Sequence, residues 1–251
     1  MTKKKINYKN LTYDGFKDLV SRTDVSDYEK IGFPEGYRKG KSGTILKNIL
    51  QNCQNFNKKN SNILEIGPGF GELSSTLLSH SDALDHRVCL IDSHEILSQI
   101  PDKDFITKIP GPFPRNMTDF QVDASKGFDV ILCYSVFQYV FGHTDIVTFL
   151  DECLRLLAPG GEFFLGDLPN ITMKKRFLSS ESGRNYHNTH FPNSDLPNVD
   201  CNVPEPGEID DATIIWIIQR ARSQGFHSWV LPQFSDLPMS NRREDILIKR
   251  P

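Results

Sequence analysis

Apolar positions along this chain recur in two alternating periods, and the alternation predicts its architecture. Ile45, Leu46, Ile49, Leu50, Cys53 and Phe56 fall at helical spacing, and a polar stretch over 57–62 separates them from the apolar run Ile63-Leu64-Glu65-Ile66. Helical pattern resumes over 72–80, residues 87–91 form a second strand running into Asp92, and a short helix follows over 95–99. Residues 105–109 and 128–134 read as the third and fourth strands, the latter apolar on both faces as a central parallel strand should be. Thr144 opens a helix with an apolar face of Ile146, Val147, Phe149, Leu150, Cys153, Leu154 and Leu157; Pro159-Gly160-Gly161 stops it, and 162–166 makes a fifth strand. Asp210 and Asp211 start a helix through Arg222, Gly225 is its natural C′ residue, and 226–231 and 245–249 finish as strands joined without a helix. Strands alternating with helices predict an α/β protein: a doubly wound, seven-stranded, mostly parallel sheet of Rossmann type with an antiparallel pair at one edge.

Two stretches fall outside that rhythm. Residues 1–44 read as an N-terminal cap segment, irregular apart from a short amphipathic candidate over 12–21, and 45–251 as the main domain. Within it, residues 167–208 are rich in Asn, Ser and Pro and have little periodicity, which predicts a lid insertion after strand five.

Composition changes this picture little, and charge somewhat more. No apolar run approaches the roughly 20 residues of a membrane helix, and the opening Met1-Thr2-Lys3-Lys4-Lys5 has no apolar stretch behind it, so a cytoplasmic protein is expected. The five cysteines, at 53, 89, 133, 153 and 201, form no Cys-x-x-Cys pair and read as free thiols; no metal site is expected. Residues 1–60 hold 13 Lys/Arg against 6 Asp/Glu, and the remainder 16 against 26. An acidic body is a poor partner for nucleic acid, whereas the basic N-terminal segment suits either a solvated surface or a small anionic substrate.

The chemistry concentrates at Glu65-Ile66-Gly67-Pro68-Gly69-Phe70-Gly71, between a strand and a helix. Gly67 allows a sharp turn off the strand, Gly69 lets backbone approach a ligand closely, and Gly71 lets the helix pack near the strand, with its first amides facing the crevice. Asp92 ends the next strand, where a carboxylate can accept hydrogen bonds from both ribose hydroxyls of a nucleoside; its other reading is a helix N-cap. A nicotinamide dehydrogenase would share these parts.

Three motifs in order separate the two. Leu64-Glu65-Ile66-Gly67-Pro68-Gly69-Phe70-Gly71, Phe128-Asp129-Val130-Ile131-Leu132-Cys133-Tyr134-Ser135 and Leu154-Arg155-Leu156-Leu157-Ala158-Pro159-Gly160-Gly161-Glu162-Phe163 resemble the first, fourth-strand and fifth-strand motifs of the class I S-adenosylmethionine-dependent methyltransferases. The resemblance spans roughly 40–168 and 208–251 and implies S-adenosylmethionine as cofactor, held by Glu65, Gly67, Pro68, Gly69, Gly71 and Asp92, with Ser135 and Gln138 bordering its methionine end. One position departs from the family pattern: an acid past the third strand commonly binds the adenine amino group, whereas Gly111-Pro112-Phe113-Pro114 stands here, with Asp119 and Asp123 further on.

Methyl transfer needs a nucleophile held in line with the methyl group, and a hydroxyl nucleophile also needs a base. His190, His187 and Asp167 are the candidates, since histidine changes charge near neutral pH and the lid adjoins the site. Tyr37, Arg38, Lys41, Tyr139, Arg184 and Tyr186 are candidates for holding the acceptor, with alternative readings as surface charge or core aromatic. No Asn-Pro-Pro-Tyr-like motif follows strand four and no acid pair stands where magnesium-dependent relatives hold their ion, so DNA base methylation and metal dependence are not expected. The run 237–250 is similar to the endings of methyltransferases of bacterial surface-polysaccharide pathways. The leading expectation is therefore methyl transfer to a sugar-related hydroxyl or a phosphate or phosphoramidate oxygen of a small molecule. An RNA or protein methyltransferase and a non-catalytic partner protein that retains the fold are the alternatives.

Overall fold

The computed structural model describes residues 6–8, 11–34, 36, 38–115, 127–201 and 203–251. Its N-terminal segment carries two helices. Thr12 caps α1 (Tyr13–Ser21), its hydroxyl accepting from Gly15 N at 3.1 Å. A reciprocal capping box between Ser26 and Glu29 starts the short α2 (Asp27–Lys30), a local signal that marks a helix start even in a stretch expected to be irregular. Helix α3 (Ser42–Asn52) follows, with Ile45 and Ile49 buried as its period requires.

The main domain then runs β1 (Asn62–Ile66), α4 (Glu72–Ala83), β2 (Arg87–Asp92), α5 (His94–Leu97), β3 (Ile106–Pro110), β4 (Phe128–Tyr134), α6 (Phe137–Phe141), α7 (Ile146–Leu156) and β5 (Leu157–Pro169). It continues with α8 (Ile171–Ser179), α9 (Glu181–His190), α10 (Asp211–Ser223), β6 (His227–Pro232) and β7 (Arg243–Lys249). The seven strands lie in the order β3-β2-β1-β4-β5-β7-β6, and only the pairings of β7 are antiparallel, as expected. Strand order reverses between β1 and β4, where Ile63 pairs with both Val88 and Val130; this is the switch point at which open sheets take ligands.

Buried side chains line both faces of the sheet. Ile45, Ile49, Phe56, Leu77 and Leu90 fill one side, and Phe149, Leu150, Cys153, Ile214 and Ile217 the other. Each such side chain contributes roughly 1.5–3 kcal/mol by leaving water, so the layers on either face fix the strand ends firmly. Cys53, Cys89, Cys133 and Cys153 are buried free thiols, and Cys201 is exposed. Among the described residues no helix is long and apolar enough to cross a membrane, and no group of His, Cys, Asp or Glu is placed to hold a metal ion.

Several elements differ from the sequence expectation, and the helix expected to open at Thr144 is capped instead by Asp145, whose carboxylate accepts from Val147 N at 3.0 Å. Pro159-Gly160-Gly161 is a bulge inside β5 rather than a stop before it: partners shift from Leu157 opposite Phe128 to Glu162 opposite Val130. A side chain at Gly161 would meet Phe128 O at 2.7 Å, so glycine lets the strand resume. The expected irregular insertion at 167–208 begins instead with a helical hairpin. Asn170 accepts from Thr172 N and Met173 N to start α8, and Ser180 accepts from Gly183 N to start α9.

Candidate active site

The site is built first from backbone. Gly67 leaves β1 at φ +69 and donates its N–H to Ile91 O at 2.9 Å, tying the turn to the next strand. A side chain there would meet Val136 Cγ2 at 2.5 Å, so both the dihedral and the close approach require glycine. Gly71 serves a purpose other than the helix–strand packing expected of it: a Cβ at that position would meet Ile31 Cδ1 at 2.9 Å. The N-terminal segment, rather than the adjacent strand, lies against the turn.

Beside the turn is a cavity of about 500 Å³. Its inner wall carries Glu65, Ile66, Gly67, Pro68, Gly69 and Gly71 from the turn, and Ile91, Asp92 and Ile96 from β2 and the helix after it. Gly111, Pro112 and Phe113 line it from the loop after β3, the stretch where the adenine acid of the family is missing. Asp119 and Asp123, the alternatives for that contact, lie outside the described residues.

Two acids face this space under tension. Burial and the neighbouring Asp92 push the Glu65 carboxyl up to about 8, so it holds its proton at neutral pH. Burial pushes Asp92 up to about 6 against the opposing pull of backbone N–H groups of Ser93 and Gly69. Those two donors leave acceptor positions on the Asp92 carboxylate for the paired hydroxyls of a ribose, and the apolar surface of Ile91, Ile96 and Phe113 suits a purine ring. The residues present therefore fit an adenosyl group. Ser93, not Asp92, caps α5, its hydroxyl accepting from Ile96 N, so the alternative reading of Asp92 as the cap does not apply.

The outer wall comes from the N-terminal segment: Tyr13, Phe16, Tyr28, Ile31, Phe33 and Arg38. Sequence periodicity gave no sign of it, because these side chains acquire a common face only by folding over the sheet. Arg38 lies 3.8 Å from the centroid of Phe33 and 5.4 Å from that of Tyr134, and its guanidinium donates to Ser135 Oγ and Asp167 Oδ2. Ser135 also donates to Asp167 Oδ2, Arg243 donates to the same oxygen at 2.8 Å, and Gln233 Nε2 reaches Oδ1 at 3.4 Å. Both Ser135 and Asp167 are left-handed, at φ +61 and +59, so each strand turns sharply to deliver its side chain to this node.

The remaining expected residues divide. Tyr139 lines the cavity, edge-on to Phe16 at 4.8 Å. Gln138 stands behind it, donating to Ser135 O at 2.8 Å, so it braces the turn after β4 rather than lining the cavity. Lys41 points away, donating to Asp236 O at 3.0 Å. Tyr37 lies outside the described residues.

The histidines and their neighbours expected on the lid are not brought to the cavity wall. Arg184, Tyr186, His187 and His190 sit on α9, where His190 stacks on Tyr186 at 4.1 Å and bonds its carbonyl at 2.9 Å. Asp167 is close to the site but its oxygens are occupied by Ser135, two guanidiniums and Gln233, which makes it an anchor instead of a proton acceptor. The cavity wall instead carries His143 and Arg115, which the sequence reading did not single out, and Thr144, read there only as a helix start. The available signal for His143 was its place just before the helix read from Thr144.

Comparison with known proteins supports this fold. Residues 64–163 match a family model described as a methyltransferase domain. Among curated protein sequences none matches the chain. Solved structures of the same fold include the plantazolicin methyltransferase BpumL bound to a monoazolic desmethylPZN analog and SAH, 15% identical over 95% of this chain and 98% of that one, with a TM-score of 0.56. The N-methyltransferase NodS from Bradyrhizobium japonicum WM9, in complex with S-adenosyl-L-homocysteine, is 15% identical over 95% and 98% of the two chains, with a TM-score of 0.55. The methyltransferase domain of bacterial CtHen1 is 14% identical over 86% and 98%, with a TM-score of 0.52. The family match lies across the glycine turn, Asp92 and the fourth and fifth strands, so residues 64–163 are similar to a methyltransferase domain, and the chain shares the fold of solved methyltransferases bound to SAH.

Proposed function

We propose that the chain methylates a small polar acceptor at oxygen, the nucleophile being a sugar-type hydroxyl or a phosphate or phosphoramidate oxygen. The observation that carries this reading is one cavity whose wall joins the glycine turn and Asp92 to Arg38, Arg115, Tyr139 and His143. The turn and Asp92 address a nucleoside; the other four add positive charge, a hydroxyl and an imidazole. The likeness of residues 237–250 to polysaccharide-pathway enzymes supports a sugar-related acceptor.

Bound S-adenosylmethionine supplies an electrophilic methyl group on a sulfonium with a neutral leaving group. The chain must position the acceptor and handle its proton. His143, in the turn between α6 and α7, is the candidate proton acceptor for a hydroxyl, taking the proton onto its imidazole as the acceptor oxygen is methylated. A phosphate oxygen needs no base, and Arg38 and Arg115 would then orient it by charge-assisted hydrogen bonds.

The test is a panel of sugars, sugar phosphates, phosphoramidates, small amines, peptides and RNA, read as release of S-adenosylhomocysteine. Turnover of a hydroxyl or phosphate acceptor supports the reading, and turnover confined to amines, peptides or RNA overturns it. With a hydroxyl acceptor, His143→Ala lowers kcat by at least about 100-fold with cofactor affinity unchanged. An unchanged kcat removes His143 from the reaction.

A further inference from the structure

Behind the cavity wall, the cluster around Asp167 continues into a second buried carboxylate. Strand β5 bulges again near its carboxyl end: Leu165 pairs with Ile246 and Leu168 with Glu244, so Gly166 and Asp167 stand opposite the single residue Asp245 of β7. Asp245 is fully buried, and its Oδ1 accepts the N–H of Asp167 at 2.7 Å. Gln233 Nε2 donates to the same oxygen at 2.9 Å and reaches Asp167 Oδ1 at 3.4 Å, and Asn48 Nδ2 from α3 donates to Asp245 Oδ2 at 2.7 Å. A bulge re-aims the side chain it carries. Here it turns Asp167, at φ +59, toward Arg38, Ser135 and Arg243.

Such a bulge needs an acceptor opposite it but not a charge. The donors that reach Asp245 among the described residues are neutral, and a buried carboxylate with no cation bonded to it is costly. Burial, with a smaller contribution from Asp167, pushes Asp245 from its usual 3.8 up to about 6 against the pull of those donors, so the fold loses stability as pH rises through that window. The charge has its counterpart in the cluster as a whole. Asp167, Arg38, Asp245 and Arg243 all act on the buried Tyr134 hydroxyl, and the two guanidiniums balance the two carboxylates only while Asp245 is ionised. With Asp245 neutral, Arg38 and Arg243 compete for one oxygen of Asp167. Arg243 keeps a further bond to Asp167 O at 3.0 Å, so Arg38 is the one released.

From this arrangement we infer that Asp245 is a positioning residue: it aims Asp167 across the bulge and supplies the second negative charge that keeps Arg38 at the cavity wall. Its consequence for turnover rests on the reading of Arg38 as an acceptor-orienting group; its hold on Arg38 does not.

Asp245→Asn tests the inference, because the new amide has partners at hand. Asn48 Oδ1 and Gln233 Oε1 are buried without partners among the described residues, and turning either amide over presents an oxygen to the new N–H groups. A purely structural residue would be missed in stability, whereas this variant melts no lower than wild type at pH 7.5, having no charge to desolvate. The hold on Arg38 is read by brief trypsin digestion, as the ratio of cleavage after half-buried Arg38 to cleavage after its exposed neighbour Lys39. General loosening raises both cuts together; release of Arg38 raises the ratio. At pH 8 Asp245→Asn raises the ratio at least about fivefold. In wild type the ratio rises about threefold as pH falls from 8 to 6 and roughly half of Asp245 takes up a proton, and the variant shows no such rise. With the acceptor that the panel turns over, Asp245→Asn raises KM at least about tenfold and leaves kcat within about threefold. A cleavage ratio within about twofold of wild type, or a melting temperature lowered by more than about 5 °C with both cuts rising together, would overturn the inference. An acceptor KM unmoved by both Asp245→Asn and Arg38→Lys would instead remove Arg38 from acceptor binding, and the cleavage ratio alone then decides the role of Asp245.

Discussion

Asp92 ends β2, Asp167 sits at the bulge near the carboxyl end of the parallel strand β5, and both turn toward the same side of the molecule. Asp92 has backbone donors from Ser93 and Gly69, and burial pushes it up to about 6. Asp167 is surrounded by two guanidiniums, a serine hydroxyl and an amide. The first carboxylate has acceptor capacity to offer a ligand; the second has spent its capacity holding Arg38, and through it the outer wall, in place. Position at a strand end therefore brings an acid to the site, and the donors that other segments deliver decide whether it binds or anchors.

The comparison breaks most visibly in stability. Asp167→Ala leaves the buried Arg38 and Arg243 uncompensated, and chemical denaturation should show a loss of about 3–5 kcal/mol. A loss below about 1 kcal/mol would mean that solvent reaches this node and that Asp167 anchors nothing.

The next effect concerns the acids facing the cavity. Glu65 binds its proton more tightly folded, at about 8, than its usual 4.5, so the ligand-free fold loses stability as pH rises through that window. Glu65→Gln removes this penalty, so its stability relative to wild type should increase from pH 5 to pH 8 by on the order of 1–3 kcal/mol. A constant difference across that range would show that Glu65 is not a desolvated acid.

Affinity for S-adenosylhomocysteine should run the other way. Hydroxyl donors favour the ionised form of Asp92, so affinity is full above about pH 7 and falls by up to about tenfold per unit below its value near 6. The dependence should disappear in Asp92→Asn. The smallest effect is expected on α9: His190→Ala changes kcat by less than about twofold, since its ring packs on Tyr186 away from the cavity. A tenfold loss would restore the lid histidine as a participant.

How much of this was legible in the sequence follows from the range of each interaction. The strand, the glycine turn, the next strand and Asp92 lie within 30 residues of one another and announce themselves by period and spacing. The mostly parallel sheet with its antiparallel edge followed from the same alternation, whereas the order of the strands did not. The anchoring of Asp167 was hidden because its partners Arg38 and Arg243 lie 129 and 76 residues away in sequence. The outer wall was hidden likewise, since Phe16, Ile31 and Phe33 share a face only when laid on the sheet. The helices α8 and α9 were missed for a different reason: Asn and Ser, which as composition suggested a loop, act here as the caps at Asn170 and Ser180.

The central claim is that the glycine turn and Asp92 together hold the adenosyl group of the methyl donor. Titration calorimetry with S-adenosylhomocysteine at pH 7.5 tests it most directly. Wild-type protein should bind one equivalent in the micromolar range, and Asp92→Ala, with its fold intact by circular dichroism, at least about 100-fold more weakly. Equal affinity in the two proteins, or no binding heat in the wild type, would contradict the account.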